Sequence, residues 1–438
     1  MWRNRHFVSS ALHVRAQYST ILDAKQTSAS SFDATIATCY NTPGHFARVY
    51  VSISDRYVYL DHSGTTPVDP RVVEAMASYW TDIFGNSESP HAFGQEAAGA
   101  LEQARQTVAD LLGCRLSEVV FTGSGTEADN LALRGVAWAA REAGYGNHIV
   151  TTPIEHRAVR HTVDQLRDLF DFEVTQVPVD EYGRVDPDDV AAAIRSDTIV
   201  VSVMMANNEV GTVQSMVRIG RVCRERGVIF HTDAVQAAGR LPLEIDDLNV
   251  DLLALSAHKF YGPKGVGLLY VRRGTPLVPA ITGGAHELGR RPGTVSVAGA
   301  VGLAAALRLA EEERVSEYAR LRRLRDQLIE GVLECVPDSR LTGHPTHRLP
   351  HHASFVFRGV EGESVVLRLD LEGIAASSGA ACAEGEAKPS VVLIAMGIPP
   401  EWSIGSLRLT LGHANDEDDI ALVLEVLPGI IGRLRANI

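Results

Sequence analysis

Ser256-Ala257-His258-Lys259-Phe260-Tyr261-Gly262-Pro263-Lys264-Gly265 closes an apolar run, 252–256, with a lysine set among small and polar residues. A strand that is apolar on both faces is buried on both faces. It therefore delivers Lys259 to a place where desolvation lowers an amine's pKa and favours Schiff-base chemistry. Ser256 and His258 flank the lysine as candidate phosphate donors. A single lysine after a strand is ordinarily a solvated surface charge, so the residues that accompany it decide what it does.

Working outward, strand-like runs occur at 118–122, 148–152, 173–179, 198–204, 228–232, 252–256 and 266–271. Helical patterns lie between most of them, at 126–141, 156–170 and 219–226. Strand–helix alternation over this length predicts an α/β layer with a mostly parallel, seven-stranded sheet. The last two runs have no full helix between them, which predicts one antiparallel neighbour. Open sheets of this kind bind ligands at the carboxyl ends of their strands, so the residues just beyond each run are the candidate site.

Gly123-Ser124-Gly125-Thr126 ends one strand and opens a helix. Its glycines admit a phosphate, and the helix start with the Thr126 hydroxyl supplies donors; taken alone, the same residues read as a turn and cap. His156, after the next strand, can stack on a flat ring or shuttle a proton, or simply begin a helix. Asn207, in Ala206-Asn207-Asn208-Glu209, is a turn former that can also reach a ring substituent. Asp233, in His231-Thr232-Asp233-Ala234-Val235-Gln236, is either a helix cap or a partner for a pyridinium nitrogen.

The texture changes near residue 312. A charged helix over 313–335 leads into alternating strands at 353–357, 373–377 and 406–410, which predicts a smaller α+β domain over 313–438 beside a large domain over 57–312 whose first residues pack on the small one. Apolar Ile420, Val423, Leu424 and Leu427 give a final helix, which Pro428 and Gly429 are expected to kink or interrupt. The apolar stretch 297–307 reads as a buried helix.

The 438 residues are 45% hydrophobic and 22% charged, an ordinary globular balance. A formal net charge of −13 argues against a surface that coats nucleic acid, and no stretch is long and apolar enough for a membrane helix. The five cysteines are scattered, odd in number and without a CxxC pair, which speaks against disulfides or zinc and for a reducing, cytoplasmic setting. Residues 1–56 are rich in Ser, Thr and Arg and hold no acid before Asp23. They read as a disordered or processed extension, either a loose start to a bacterial chain or an organelle transit peptide.

The ordered set Gly-Thr, His, Asn, Asp-x-x-Gln and Ser-x-His-Lys, each at a strand end, resembles the class V aminotransferase group of fold-type-I pyridoxal-phosphate enzymes, and specifically the cysteine desulfurases. Tyr59-Leu60-Asp61, Thr65-Thr66-Pro67 and Gly85-Asn86 resemble the family's first segment, and Gly283-Gly284-Ala285-His286-Glu287 through Gly293-Thr294 resemble its second glycine-rich loop. The resemblance covers the chain from Tyr57 onward. Ser124-Gly125-Thr126, Ala285, Leu288, Glu88 and Pro90 depart from the family's usual wording without touching the inferred cofactor chemistry.

The resemblance implies pyridoxal 5'-phosphate bound by Gly125, Thr126, Ser256 and His258 at its phosphate, Asp233 at the ring nitrogen, Gln236 at the ring oxygen, His156 over the ring and Asn207 beside it. It implies that Lys259 forms the Schiff base and moves protons, and that Arg408, in Ser406-Leu407-Arg408-Leu409-Thr410, binds the substrate carboxylate, with Asn207 at the same substrate. Thr294 would reach the neighbouring site of a homodimer. Cys382, in Ser377-Ser378-Gly379-Ala380-Ala381-Cys382, distinguishes the desulfurases: its thiolate would take sulfur from L-cysteine as a persulfide, leave L-alanine, and pass the sulfur to an acceptor protein for iron–sulfur assembly or tRNA or cofactor thiolation. Selenocysteine lyase and cysteine-sulfinate-type lyase activities on the same scaffold are the alternatives, followed by a non-catalytic protein of the same fold.

Overall fold

The computed structural model describes residues 57–379, 381–383 and 386–436, the side chains at 381–388 excepted. The expected extension over residues 1–56 and the side chain of Cys382 lie outside the described residues. The chain divides into two compact units, Val58–Ala381 with Ala387–Ile438, and Met1–Tyr57 with Cys382–Glu386. The first is described here; the second falls almost wholly outside the described residues.

Strands, in chain order, are β1 (Val58–Tyr59), β2 (Val119–Thr122), β3 (His148–Thr151), β4 (Glu173–Gln176), β5 (Thr198–Ser202), β6 (Ile229–Asp233), β7 (Leu252–Ser256), β8 (Gly267–Val271), β9 (Ser339–Leu341), β10 (His352–Phe357), β11 (Ile374–Ala375), β12 (Ala381–Ala383), β13 (Glu386–Lys388) and β14 (Ser406–Thr410). The helices used below are α1 (Ala92–Leu112), α2 (Gly125–Ala143), α3 (Arg157–Phe170), α4 (Met216–Arg226), α5 (Val297–Cys335) and α6 (Glu417–Arg435).

Seven strands form the main sheet in the order β2-β8-β7-β6-β5-β3-β4. β8 is antiparallel to both neighbours and the remaining pairs are parallel, so six strands point the same way. The apolar runs of β5, β7 and β8 are buried at every residue, as strands covered on both faces must be. β4 ends the sheet, and its terminal Glu173 and Gln176 are exposed, a polar edge that discourages pairing with another chain.

The register places the site. Gly267 pairs with Thr122 on one side and Ser256 on the other, and Ala254 pairs with Asp233, so the ends of β2, β7 and β6 lie side by side. Gly267 is required there: a Cβ on it would fall 2.4 Å from the Ser124 backbone carbon.

Two findings correct the sequence expectation. The helices expected at 297–307 and 313–335 are one helix, α5, so the boundary placed between 312 and 313 falls inside it. Its first half, through Ala310, packs in the core of the main sheet; Leu321 to Val332 pack with β10, β14 and α6. Val58 and Leu60 join that second core, and β1 pairs with β11. The final helix also runs unbroken through Pro428. Proline removes one helix hydrogen bond, while Leu427, Ile430 and Ile431 around it are all buried, and that burial offsets the loss.

Candidate active site

Five parallel strands end on one edge of the sheet, and each delivers a side chain singled out by the sequence. β2 turns into α2 through Ser124, whose hydroxyl caps the helix by accepting from the Glu127 N–H at 3.1 Å. Gly125 opens the helix in close packing: a Cβ on it would lie 2.8 Å from Val235 Cγ2 and 3.2 Å from Ser256 Cβ. Its bare backbone therefore joins the ends of β2, β6 and β7. Thr126 is exposed in the first turn of α2, where free N–H groups and the helix dipole favour an anion.

Lys259 is held at the end of β7. Its Nζ donates to the Ser63 carbonyl at 2.6 Å and the Gly64 carbonyl at 2.5 Å. Burial lowers its pKa to about 8, with the Arg408 charge adding to the effect and Asp61 and Asp233 opposing it. The Ser63 carbonyl also accepts from Gln236 Nε2 at 3.0 Å, so Lys259 and Gln236 converge on one oxygen. His258 bonds through Nδ1 to Thr65 Oγ1 at 3.0 Å, and burial pulls its pKa to about 4, which leaves it neutral.

Asp233 is buried, with Oδ1 accepting the Val235 N–H at 2.9 Å. Burial raises its pKa against the opposing pull of His156 and Lys259. His156 caps α3, its Nδ1 accepting the Ala158 N–H at 3.2 Å. It keeps access to solvent, yet the surrounding protein lowers its pKa by desolvation.

Asn207 is fully buried and its amide is engaged within its own loop: Nδ2 donates to the Ile154 carbonyl at 2.9 Å, and Oδ1 accepts from Glu209 and Val210. The neighbouring Asn208 carbonyl accepts from Arg408 Nη1 at 2.9 Å. Arg408 Nη2 binds Asp61 Oδ1 at 2.7 Å, and its buried Nε has no hydrogen-bond partner among the described residues.

Thr294 is exposed on the glycine-rich loop. Glu287 anchors that loop. Its carboxylate accepts Arg105 Nη1 at 2.9 Å and Nη2 at 2.7 Å, and the Phe121 N–H at 2.7 Å. Arg291 from the same loop pairs with Glu127 in α2 at 2.6 Å, so the loop is tied to the start of the anion-binding helix. Replacing Glu287 by Ala takes the paired carboxylate from a buried guanidinium, which keeps only the Val119 carbonyl and Glu102, and takes the acceptor from the buried Phe121 N–H. It should cost about 3–5 kcal/mol, read as a lower urea midpoint at unchanged slope.

Five contributors were not assigned from sequence. Ser63 and Gly64 act through backbone carbonyls, which carry no sequence signature. Asp61 sits in the Tyr59-Leu60-Asp61 motif, whose sequence alone gives it no role. Asp129 and Glu155 are buried carboxyls beside Asp233. The helical face of Asp129, directed at the sheet among Ala128, Leu131 and Ala132, was the available signal for the first of them.

The geometry agrees with the comparisons to known proteins. The profile described as Aminotransferase class-V matches residues 58–423. A cysteine desulfurase IscS of Methanosarcina thermophila is 48% identical over 385 residues, 88% of this chain and 94% of the relative. Among solved structures, a NifS-like protein superimposes with a TM-score of 0.81 at 36% identity, covering 86% of this chain and all of that one. One described as SspA in complex with cysteine gives 0.69 at 34%, covering 81% and 98%. The chain belongs to the class V aminotransferase family, among its cysteine desulfurases.

Proposed function

We propose that this enzyme uses pyridoxal phosphate held at the strand ends, with Lys259 as its proton-moving amine and Cys382 as its sulfur acceptor. The observation that carries the reading is the shared Ser63 carbonyl, which brings the Lys259 amine and the Gln236 amide together beside Asp233. The residues fit the cofactor's chemistry. Gly125 lets the start of α2 pack closely against Val235 and Ser256, and α2 presents an anion-binding end there. A buried carboxyl closes one side and an amine of lowered pKa the other.

Thr126, Ser256 and His258 would bind the phosphate, with His258 as a neutral donor. Asp233 would face the ring nitrogen, Gln236 the ring oxygen and His156 the ring face, with Asn207 holding the turn beside it. When bound, the cofactor supplies an electron-accepting ring that stabilises negative charge at the substrate α-carbon. Arg408 orients L-cysteine by its carboxylate, with Asp61 and the Asn208 carbonyl fixing the guanidinium. Lys259 Nζ takes the α-proton and returns a proton to the carbon skeleton. Cys382 Sγ attacks the substrate sulfur, an S–S bond forms as the C–S bond breaks, and L-alanine leaves.

The persulfide passes to a sulfur-acceptor protein for iron–sulfur assembly or thiolation. The enzyme acts as a homodimer in the cytoplasm, with Thr294 reaching the neighbouring site. Borohydride reduction of the loaded protein tests the cofactor assignment. The expected result is the cofactor's mass fixed on the peptide carrying Lys259; the same mass on another lysine peptide, or on none, rejects it.

The lysine's lowered pKa also fixes a pH dependence. Only the neutral amine is nucleophilic, and Lys259 is protonated below about 8. Cofactor capture by stripped protein should therefore accelerate about tenfold per pH unit on the acid side and level off above about 8, followed by absorbance in a stopped-flow series.

A further inference from the structure

Asp233 has a buried neighbour that the reaction does not use. His231 and Asp233 are two residues apart on β6 and so share one face of the sheet. α2 packs on that face, and Asp129, His156 and Asp233 bring donor atoms within 4.8 Å of one another. Asp129 Oδ1 lies 3.4 Å from His231 Nε2, and neither atom has a hydrogen-bond partner among the described residues. His231 Nδ1 is 2.9 Å from Ser202 Oγ on β5. Asp129 is 1% exposed, and His231 and Ser202 are fully buried.

The proton positions follow from this chain of contacts. Burial keeps His231 neutral, so one ring nitrogen donates and the other accepts; the raised proton affinity of the facing Asp129 carboxyl selects Nδ1–H on Ser202 and Nε2 as the acceptor. The group facing it must then be an acid O–H. Around Asp129 stand His231 and Asp233 from β6 and Glu155 and His156 from the turn after β3, with Lys259 beyond Asp233. Like-charged carboxylates so close in a dry pocket cannot all ionise. Burial, then Asp233, then Glu155 hold the Asp129 carboxyl well above the usual range.

We propose that Asp129 is a positioning residue for the ring-nitrogen partner: it keeps its proton, commits it to His231, and leaves Asp233 as the ionised carboxylate that faces the ring. The inference rests on the reading of Asp233 as that partner. Sequence carries its own hint, since the spacing of His231 and Asp233 puts both on the face that α2 covers.

Holoenzyme carrying pyridoxal phosphate labelled isotopically at the ring nitrogen reports that atom's protonation by its chemical shift. Wild type and Asp129→Asn, a neutral isostere, should show the protonated shift. Asp129→Ala should lose the ring proton at a pH about one unit lower, and Asp233→Asn should lose the protonated shift outright. An unmoved shift in Asp233→Asn rejects the ring-nitrogen reading itself. A moved shift there with an unmoved one in Asp129→Ala overturns only the role of Asp129, as does loss of the protonated shift in Asp129→Asn. Should Asp129→Ala fail to fold, an infrared difference between wild type and Asp129→Asn at neutral pH decides: a protonated-carboxyl band supports the proposal, and its absence overturns it.

Discussion

Replacing Lys259 by Ala should abolish the visible absorbance that pyridoxal phosphate gives the wild-type protein and cut alanine production from cysteine by at least about 10²–10⁴-fold, the range for loss of a proton-moving group alone. The site explains why no neighbour substitutes for it. Ser63 and Gly64 offer only carbonyls, and Arg408 is already bound to Asp61 and Asn208. Arginine at position 259 would restore the charge and not the nucleophile, so it should fail as completely. The fold should survive either change, because Lys259 contributes no packing to the apolar cores.

Replacing Cys382 by Ser should give the opposite division. The absorbance band and its response to cysteine remain, since the proposed cofactor residues all lie elsewhere. Sulfide release under a thiol reductant should fall by about 10²-fold or more, the loss of a nucleophile whose thiolate has no equal in a hydroxyl. Intact-mass measurement after brief exposure to cysteine should show wild type heavier by one or more sulfur atoms and the variant unchanged. A Cys382→Ser protein that turned over cysteine at the wild-type rate would remove this residue from the reaction.

Much of this was legible in the chain. β7 was bounded by its own composition, Leu252 to Ser256, because a strand buried on both faces must be apolar throughout. The one antiparallel strand of the main sheet, β8, followed from the short connection after Lys259. His156 stood at a helix start as expected, capping α3. What the sequence concealed was long-range. Pro428 argued for a break because local rules count hydrogen bonds and not the burial of Ile430 and Ile431. The change of texture near residue 312 marks a change of packing partner along α5, which needs no break in the helix. Asp61 is 347 residues from Arg408, and Ser63 is 196 from Lys259; no local pattern links them.

Departures from the family's wording also find their places. Leu288 adopts a left-handed backbone with φ of 59°, beside Glu287 at 51°. Such residues carry strain that persists only where surroundings enforce it, and the Glu287 carboxylate, bonded to Arg105 and Phe121, does so here.

The most direct measurement is stoichiometric. Purified protein loaded with pyridoxal phosphate is mixed with L-cysteine and a thiol reductant, while its visible spectrum, alanine and sulfide are followed in the same sample. The expected result is a band that changes on adding cysteine, with alanine and sulfide appearing in equal amounts. A band that responds to cysteine without alanine, or a protein that takes up no cofactor at all, would contradict the assignment of sulfur transfer to this site.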